Sequence, residues 1–320
     1  MNTKVLITGG AGFVGANLVK VLESDDGDAE VIVLDDLSTG FRENLAGTAA
    51  TFVEGSILDS DLLVQAMDGC SAVIHLAARA SVPRSIEDPS ATHEVNATGT
   101  VQVLEACRTT GVSQVIVASS SSVYGRNEMM PKRENLPTRP MSPYAASKLA
   151  SESYALAWGN SYDLPVLAFR FFNIYGPLQP PRHVYAAAVP AFTAAALQNR
   201  PVPIFGDGSQ TRDFTYVDSV AEVIVKALRE ETSHPEPINL AFGTRISLLD
   251  LIARLESILD RPLAREFLPA RVGDVPHSQA DNSVLRSLFP DVKPTNLEDG
   301  LRSTVAWFKA TRPWERPDLN

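Results

Sequence analysis

A short apolar run that empties into a glycine-rich turn and then a helix leaves few folds open, and this chain begins with one. Val5-Leu6-Ile7-Thr8 leads into Gly9-Gly10-Ala11-Gly12-Phe13-Val14-Gly15, and an apolar-periodic helix pattern, Gly12–Glu23, follows. Glycines at 9, 12 and 15 have no Cβ, so the backbone bends sharply and a pyrophosphate comes up against the helix N-terminus. Glycines also make ordinary turns, and the context is what sharpens the reading. Asp35 closes the next strand pattern, 20 residues beyond Gly15. A carboxylate there accepts both ribose hydroxyls of NAD and repels the 2′-phosphate of NADP. Asp36 adds to that repulsion, and Arg42 is the one nearby residue that argues the other way. NAD is the expected cofactor.

Strand patterns recur at Glu30–Leu34, Ala50–Val53, Ala72–Leu76, Gln114–Ser119 and Val166–Arg170. Several are continuous Val/Ile/Leu runs, as strands covered on both faces require. Helix patterns at Ser60–Met67, His93–Thr110 and Pro143–Ser161 alternate with them. That alternation predicts right-handed βαβ crossovers and an α/β, doubly wound parallel sheet of Rossmann type. After Phe171, Gly176-Pro177, Pro180-Pro181, Pro190, Pro201 and Pro203 break the chain into shorter pieces. A helix pattern at Val217–Arg229 and a strand-like Ile238–Leu240 return to the first sheet, and helices follow at Ser247–Leu259 and Leu297–Phe308. The expected organisation is a dinucleotide-binding domain, residues 1–175 with a returning segment near 214–242, and a smaller α/β substrate domain, mainly 176–320. The boundary falls in Asn173–Pro181.

Composition excludes several function classes. A net charge of −10 over 320 residues disfavours nucleic acid or an anionic membrane as the main partner. Two cysteines, Cys70 and Cys107, make no disulfide framework or thiolate cluster, and the five histidines show no helical ligand spacing, so no metal is expected. No apolar run reaches the roughly 18 residues of a membrane span. Met-Asn-Thr-Lys passes straight into Val-Leu-Ile with no signal-peptide pattern. A cytoplasmic location is the expectation.

The second cluster of interest is Met141-Ser142-Pro143-Tyr144-Ala145-Ala146-Ser147-Lys148. Ser142 is a natural helix N-cap and Pro143 a natural first-turn residue. Tyr144 and Lys148 then stand at i and i+4 and meet on one helix face. Tyrosine normally ionises near pH 10; an adjacent ammonium, joined by the positive ring of oxidised nicotinamide, favours phenolate and makes a usable base. A surface tyrosine beside a solvated lysine would look the same in isolation. Upstream, the strand pattern ends in Ser119-Ser120-Ser121-Ser122-Val123-Tyr124-Gly125. This puts hydroxyls at the carboxyl end of a strand, where open α/β sheets bind ligands.

With these residues the sequence resembles the extended short-chain dehydrogenase/reductase family, and within it the nucleotide-sugar epimerases. The resemblance runs over nearly the whole chain: Thr8–Gly15, His75-Leu76-Ala77-Ala78, Ser119–Gly125, Tyr144–Lys148, Arg170–Pro177 and Gly206–Asp213. It implies that Ser120, Tyr144 and Lys148 are catalytic. It implies that NAD is held by Gly9, Gly12, Phe13, Val14 and Gly15, by Asp35, Asp36, Ser38, Thr39 and Gly40, and by Ser56 and Ile57. Leu76, Ala77, Ala78, Ala80, Asn96 and Ser119, with Tyr144 and Lys148, complete that set. Gly55-Ser56-Ile57 departs from the family, which often carries aspartate at the serine; a hydroxyl binds the adenine amine more weakly than a carboxylate.

The resemblance also implies a UDP-sugar substrate. Arg212 and Arg271 match diphosphate-gripping positions, a role that suits a planar guanidinium. Asn173 matches a diphosphate-binding amide and Val189 a residue beside the uracil. Ser81, Val82, Ser120, Ser121, Ser122, Tyr144, Asp274 and Ser278 complete the substrate set. Serine at 278 leaves room for an N-acetyl group that a tyrosine would fill. Ser121, Ser122, Asn173 and Arg84 keep a C6 carboxylate, and so UDP-glucuronate 4-epimerisation, in view.

Three activities compete. In a 4-epimerase of UDP-glucose and UDP-galactose, or their N-acetylated forms, Tyr144 takes the O4 proton while NAD accepts and returns hydride at C4 through a 4-keto sugar. A 4,6-dehydratase needs extra acid/base groups after the catalytic hydroxyl, where similar dehydratases carry Asp-Glu and this chain has Ser121 and Ser122. A non-catalytic NAD-binding protein has no use for a phenolate base. The epimerase is the expected activity. A homodimer is expected through the helices at His93–Thr110 and Pro143–Ser161, with Val101, Leu104, Leu149 and Leu156 as candidate contacts.

Overall fold

The computed structural model describes residues 3–24, 29–181, 187–270 and 275–315. Its first half runs β1 (Lys4–Thr8), α1 (Phe13–Ser24), β2 (Glu30–Asp35), β3 (Thr51–Glu54), α2 (Ser60–Ala66) and β4 (Ala72–His75). Then come α3 (Val82–Glu87), α4 (Pro89–His93), α5 (Gly99–Thr110), β5 (Gln114–Ser120), α6 (Pro143–Tyr162) and β6 (Val166–Phe171). The second half holds β7 (Ile174–Tyr175), α7 (Ala188–Leu197), β8 (Val202–Phe205), β9 (Thr211–Arg212), β10 (Thr215–Tyr216), α8 (Val217–Arg229) and β11 (Ile238–Leu240). It ends with β12 (Ile246–Ser247), α9 (Leu248–Leu259), β13 (Arg265–Leu268), α10 (Ser283–Leu288) and α11 (Leu297–Thr311).

Seven strands form one sheet in the order β11-β6-β5-β4-β1-β2-β3, every neighbouring pair parallel. The strand period of two is visible in what each side chain covers. Val5, Ile7, Ala72 and Ile74 join one core with α1 and α8, while Leu6, Val73, Val115 and Val117 face the opposite core with α2, α5 and α6. Both faces are therefore buried, which is why the strands read as unbroken apolar runs. A third core joins α7, β8, β10, α9 and α11. The chain leaves β1 toward β2 and β3 but leaves β4 toward β5 and β6, so the carboxyl ends of β1 and β4 part at the topological switch point.

Three details differ from the sequence reading. The expected helix His93–Thr110 is α4, a π-helical turn over Glu94–Thr98, and α5. The turn is stabilised because the Asn96 carbonyl oxygen accepts from the Thr100 and Ser151 hydroxyls, both at 2.6 Å. Pro190 does not break the chain: it lies in the first turn of α7, where a missing N–H costs no helical bond. Pro203 sits inside β8, which pairs only with β13. Among the described residues no helix is long and apolar enough to cross a membrane.

Candidate active site

The glycine turn is built as a cradle. Gly9 has φ +71°, and a Cβ there would stand 2.7 Å from the Ala77 amide nitrogen. A Cβ on Gly15 would lie 2.5 Å from both the Gly10 Cα and the Gly9 carbonyl oxygen. The turn thus closes onto the first turn of α1 and the loop after β4 at distances only glycine permits. Asp35 is 7% exposed. Its oxygens accept from the amides of Ala11 at 3.0 Å and Leu37 at 2.9 Å. Burial pushes this carboxyl up, and those amides oppose the shift. The arrangement fits a dinucleotide with an unmodified ribose. Arg42 stacks over the Phe52 ring at 4.9 Å. Gly15→Ala is expected to lower NAD affinity at least about tenfold, since the added methyl must push backbone rather than a side chain; titration with NADH fluorescence checks this, and unchanged affinity contradicts it.

Tyr144 and Lys148 are placed by local chemistry. The Ser142 hydroxyl accepts from the Ala145 amide at 3.1 Å, with Pro143 in the first turn of α6. One face of α6 then carries Tyr144, half-buried on the cleft wall, and Lys148, 5% exposed. Burial pushes the Tyr144 phenol up, and a hydrogen bond from Ser120 acts the other way. Burial pushes the Lys148 ammonium down to about 8 while Glu152 acts to raise it. An unfolded lysine titrates near 10.5. Folding therefore carries a protonation cost at pH 7 that fades as the pH rises from about 8 toward 10. Lys148→Met is expected to stabilise the cofactor-free protein by about 1–3 kcal/mol at pH 7, with the gain shrinking by pH 10. Denaturant unfolding at both pH values checks it; a less stable variant at pH 7 contradicts it.

Behind this face lies a network absent from the sequence reading. Glu152, one turn beyond Lys148, receives Nε and Nη2 of Arg170 at 2.9 and 2.7 Å and the Ser119 hydroxyl at 2.6 Å. Both ionic side chains are 4% exposed. Arg170 also stacks over Tyr124 at 4.7 Å and donates to the Glu134 carbonyl oxygen at 3.1 Å. His75 links β1, β4 and α5 through Thr8 at 2.7 Å and Thr100 at 3.0 Å; burial first, and the Lys148 charge second, pushes it down to about 3, so it stays neutral. The sequence signals were a carboxylate four residues after Lys148 and an arginine one residue before the end of β6.

A cleft of about 1120 Å³ opens at this end of the sheet. Its wall includes Phe13, Val14, Leu76, Ala78 and Ala80 of the expected cofactor set, with Ser119, Tyr144 and Lys148. Of the expected substrate set it includes Ser81, Val82, Ser120, Ser121, Asn173, Val189 and Arg212. Arg271 and Asp274 fall outside the described residues. Gly9, Gly12, Gly15, Asp35 and Ala77 are off this wall, in the turn from β1 into the first turn of α1, at the end of β2 and after β4. Asp36, Ser38 and Thr39 are exposed after β2, and Gly40 is buried beside Asp35.

Other expected contacts lie one layer back. Ile57 is 5% exposed and packs in the core under Gly99. The Ser56 hydroxyl accepts from the Leu58 amide at 3.2 Å. Asn96 is 1% exposed, and its amide group bonds the Arg79 amide at 2.7 Å and the Ser147 hydroxyl at 2.9 Å, tying the loop after β4 to α6. Ser122 and Ser278 are off the described wall; Ser278 is 8% exposed and its amide donates to the Thr211 carbonyl oxygen at 3.0 Å. Arg84 is off it too. Asp213, next to Arg212, is no surface residue. It is fully buried, accepts from Thr244 and Ala280 and is pushed up by burial to about 6. Arg212 donates to the carbonyl oxygens of Thr211 at 2.9 Å and Pro276 at 3.3 Å.

A model of the NAD dependent epimerase/dehydratase family matches residues 5–241. The chain belongs to that family. It is an NAD-dependent enzyme, and its doubly wound sheet is the family's fold. One relative, the UDP-glucose 4-epimerase of Mycolicibacterium smegmatis, is 38% identical over 312 residues, 96% of this chain and 98% of that protein. Among solved structures, a UDP-N-acetylglucosamine 4-epimerase from Methanobrevibacter ruminantium superposes with a TM-score of 0.90 at 36% identity, covering 97% of this chain and 99% of that one. A UDP-glucuronic acid 4-epimerase from Bacillus cereus, bound to UDP-glucuronic acid and NAD, gives 0.88 at 32% identity, covering 96% and 99%. All three of these relatives are named as 4-epimerases, and they differ in the sugar.

Proposed function

We propose that this enzyme is a UDP-hexose 4-epimerase that interconverts UDP-glucose and UDP-galactose. The observation that carries the reading is the convergence of Ser120, Tyr144 and Lys148 on one wall of the cleft, next to hydroxyls rather than acids. Bound NAD supplies the hydride acceptor and donor at C4 of the sugar. Tyr144 Oη takes the 4-hydroxyl proton and later gives it back, Ser120 stabilises the phenolate, and the Lys148 ammonium favours that charge from one helical turn away. Dehydration across C5–C6 needs a further acid and base beside Ser120. Ser121 and Ser122 occupy that place, and the Ser122 hydroxyl is bonded to Ser120 at 2.9 Å.

Arg212 and Asn173, both on the wall, are assigned to the diphosphate, and Val189 to the base. Asp35 is assigned to the adenosine ribose, and Gly9, Gly12 and Gly15 to the pyrophosphate. Glu87, which ends α3 and lines the cleft with Ser81 and Val82, is the negative charge taken here to favour a neutral C6 over a uronate. The screen that tests the reading compares UDP-glucose, UDP-N-acetylglucosamine and UDP-glucuronate by kcat/KM. UDP-glucose is expected to lead UDP-glucuronate by about tenfold or more; the reverse order contradicts the choice of sugar.

The quaternary proposal is a homodimer. Leu104 is fully buried in the monomer core and cannot reach a partner. The outer face of α6 instead carries Tyr154, Trp158 and Tyr162 at successive turns, with ring centroids 6.1 and 5.4 Å apart. Tyr154 is 43% and Tyr162 50% exposed. Twofold pairing of this stripe buries it, and light scattering reads the mass.

A further inference from the structure

We propose that Ser122 is a positioning residue for proton transfer: it fills both acceptor positions of the Ser120 hydroxyl and so turns that hydroxyl's single proton toward Tyr144. A serine hydroxyl has one proton to donate and two lone pairs to accept with. Ser120 Oγ lies 3.2 Å from the Ser122 amide nitrogen, which can only donate to it, and 2.9 Å from Ser122 Oγ. With both lone pairs engaged by one residue, Ser120, which lines the cleft together with Tyr144, has only its proton left to offer the phenol, and a donated proton favours phenolate over phenol. Ser120 and Ser122 keep their own O–H bonds throughout. The proton that moves passes only between the sugar 4-hydroxyl and Tyr144 Oη.

The turn that holds Ser122 is rigid. β5 ends at Ser120, and Ser121–Tyr124 form a single 3-10 turn capped by the Ser120 side chain. Val123 and Tyr124 anchor it in the core at 0% and 1% exposure. The Tyr124 hydroxyl donates to Asn239 at 2.6 Å across the sheet. Ser121 reaches the cleft wall and Ser122 does not. Bonded to the serine that lines the cleft with Tyr144, Ser122 acts through Ser120.

The inference rests on Tyr144 being the base, and its test separates the two. Ultraviolet difference titration of tyrosinate, taking Tyr144→Phe as the blank, isolates the Tyr144 ionisation whatever the sugar. Ser122→Ala is expected to raise that apparent pKa by about half a unit to one unit. The acid limb of kcat/KM should move up with it, lowering the value at neutral pH by about three- to tenfold while KM stays within about twofold. Ser122→Thr, which keeps the hydroxyl, should restore both. Ser122→Cys, a weaker donor, should fall between. An unmoved titration in Ser122→Ala, or a raised KM at unchanged kcat, overturns the proposal. Full activity in Tyr144→Phe overturns the base assignment instead.

Discussion

Tyr144→Phe is expected to cut turnover by about three orders of magnitude or more while the protein still retains NAD, since a positioned base contributes roughly 10²–10⁴ and no other phenol or carboxylate stands beside Ser120 among the described wall residues. The change removes one oxygen and keeps the ring, so the helix start at Ser142 and the placement of Lys148 are undisturbed. Retained cofactor after gel filtration separates a chemical defect from a binding defect. Near-wild-type turnover would show that another group takes the O4 proton.

Glu152→Gln should have the largest effect on stability. Arg170 and Glu152 form a two-pronged ion pair at 4% exposure, and Ser119 completes the carboxylate's bonding. Neutralising one member leaves a buried guanidinium without its counter-charge, which costs about 3–5 kcal/mol. The same change removes the charge that helps keep Lys148 protonated, so activity should fall as well. Replacing both partners with methionine should recover much of the stability, because two desolvated charges disappear together. Denaturant unfolding of the two variants beside the parent protein checks this. A single-variant loss below about 1 kcal/mol would mean that the pair is not structural.

The parts of the architecture that were legible in the sequence are those set by local physics. The apolar runs of β1, β4 and β5 and the glycine turn depend on residues within a few positions of each other. So does α8, whose bounds, Val217–Arg229, match the periodic pattern. The Tyr144–Lys148 pair was legible because a capped helix fixes i, i+4 neighbours. What escaped depends on partners far along the chain. Glu152 meets Arg170 across a helix–strand interface, and Asn96 meets Ser147 across 51 residues. A proline in the first turn of α7 reads as a break until the fold shows that no bond is lost there. Four serines in a row, Ser119–Ser122, give no hint of which line the cleft and which bond one another. The turn at Ser120 decides that.

On the proposed mechanism, hydride leaves and returns to C4 of a UDP-hexose within one closed cycle, with Tyr144 exchanging only the O4 proton. Proton NMR of UDP-galactose incubated in heavy water with catalytic amounts of the NAD-loaded protein tests it most directly. UDP-glucose should accumulate to equilibrium with protium retained at C4 and C5 and no 6-deoxy sugar. Deuterium at C4 or C5, a 4-keto-6-deoxy product, or no interconversion at all would contradict it.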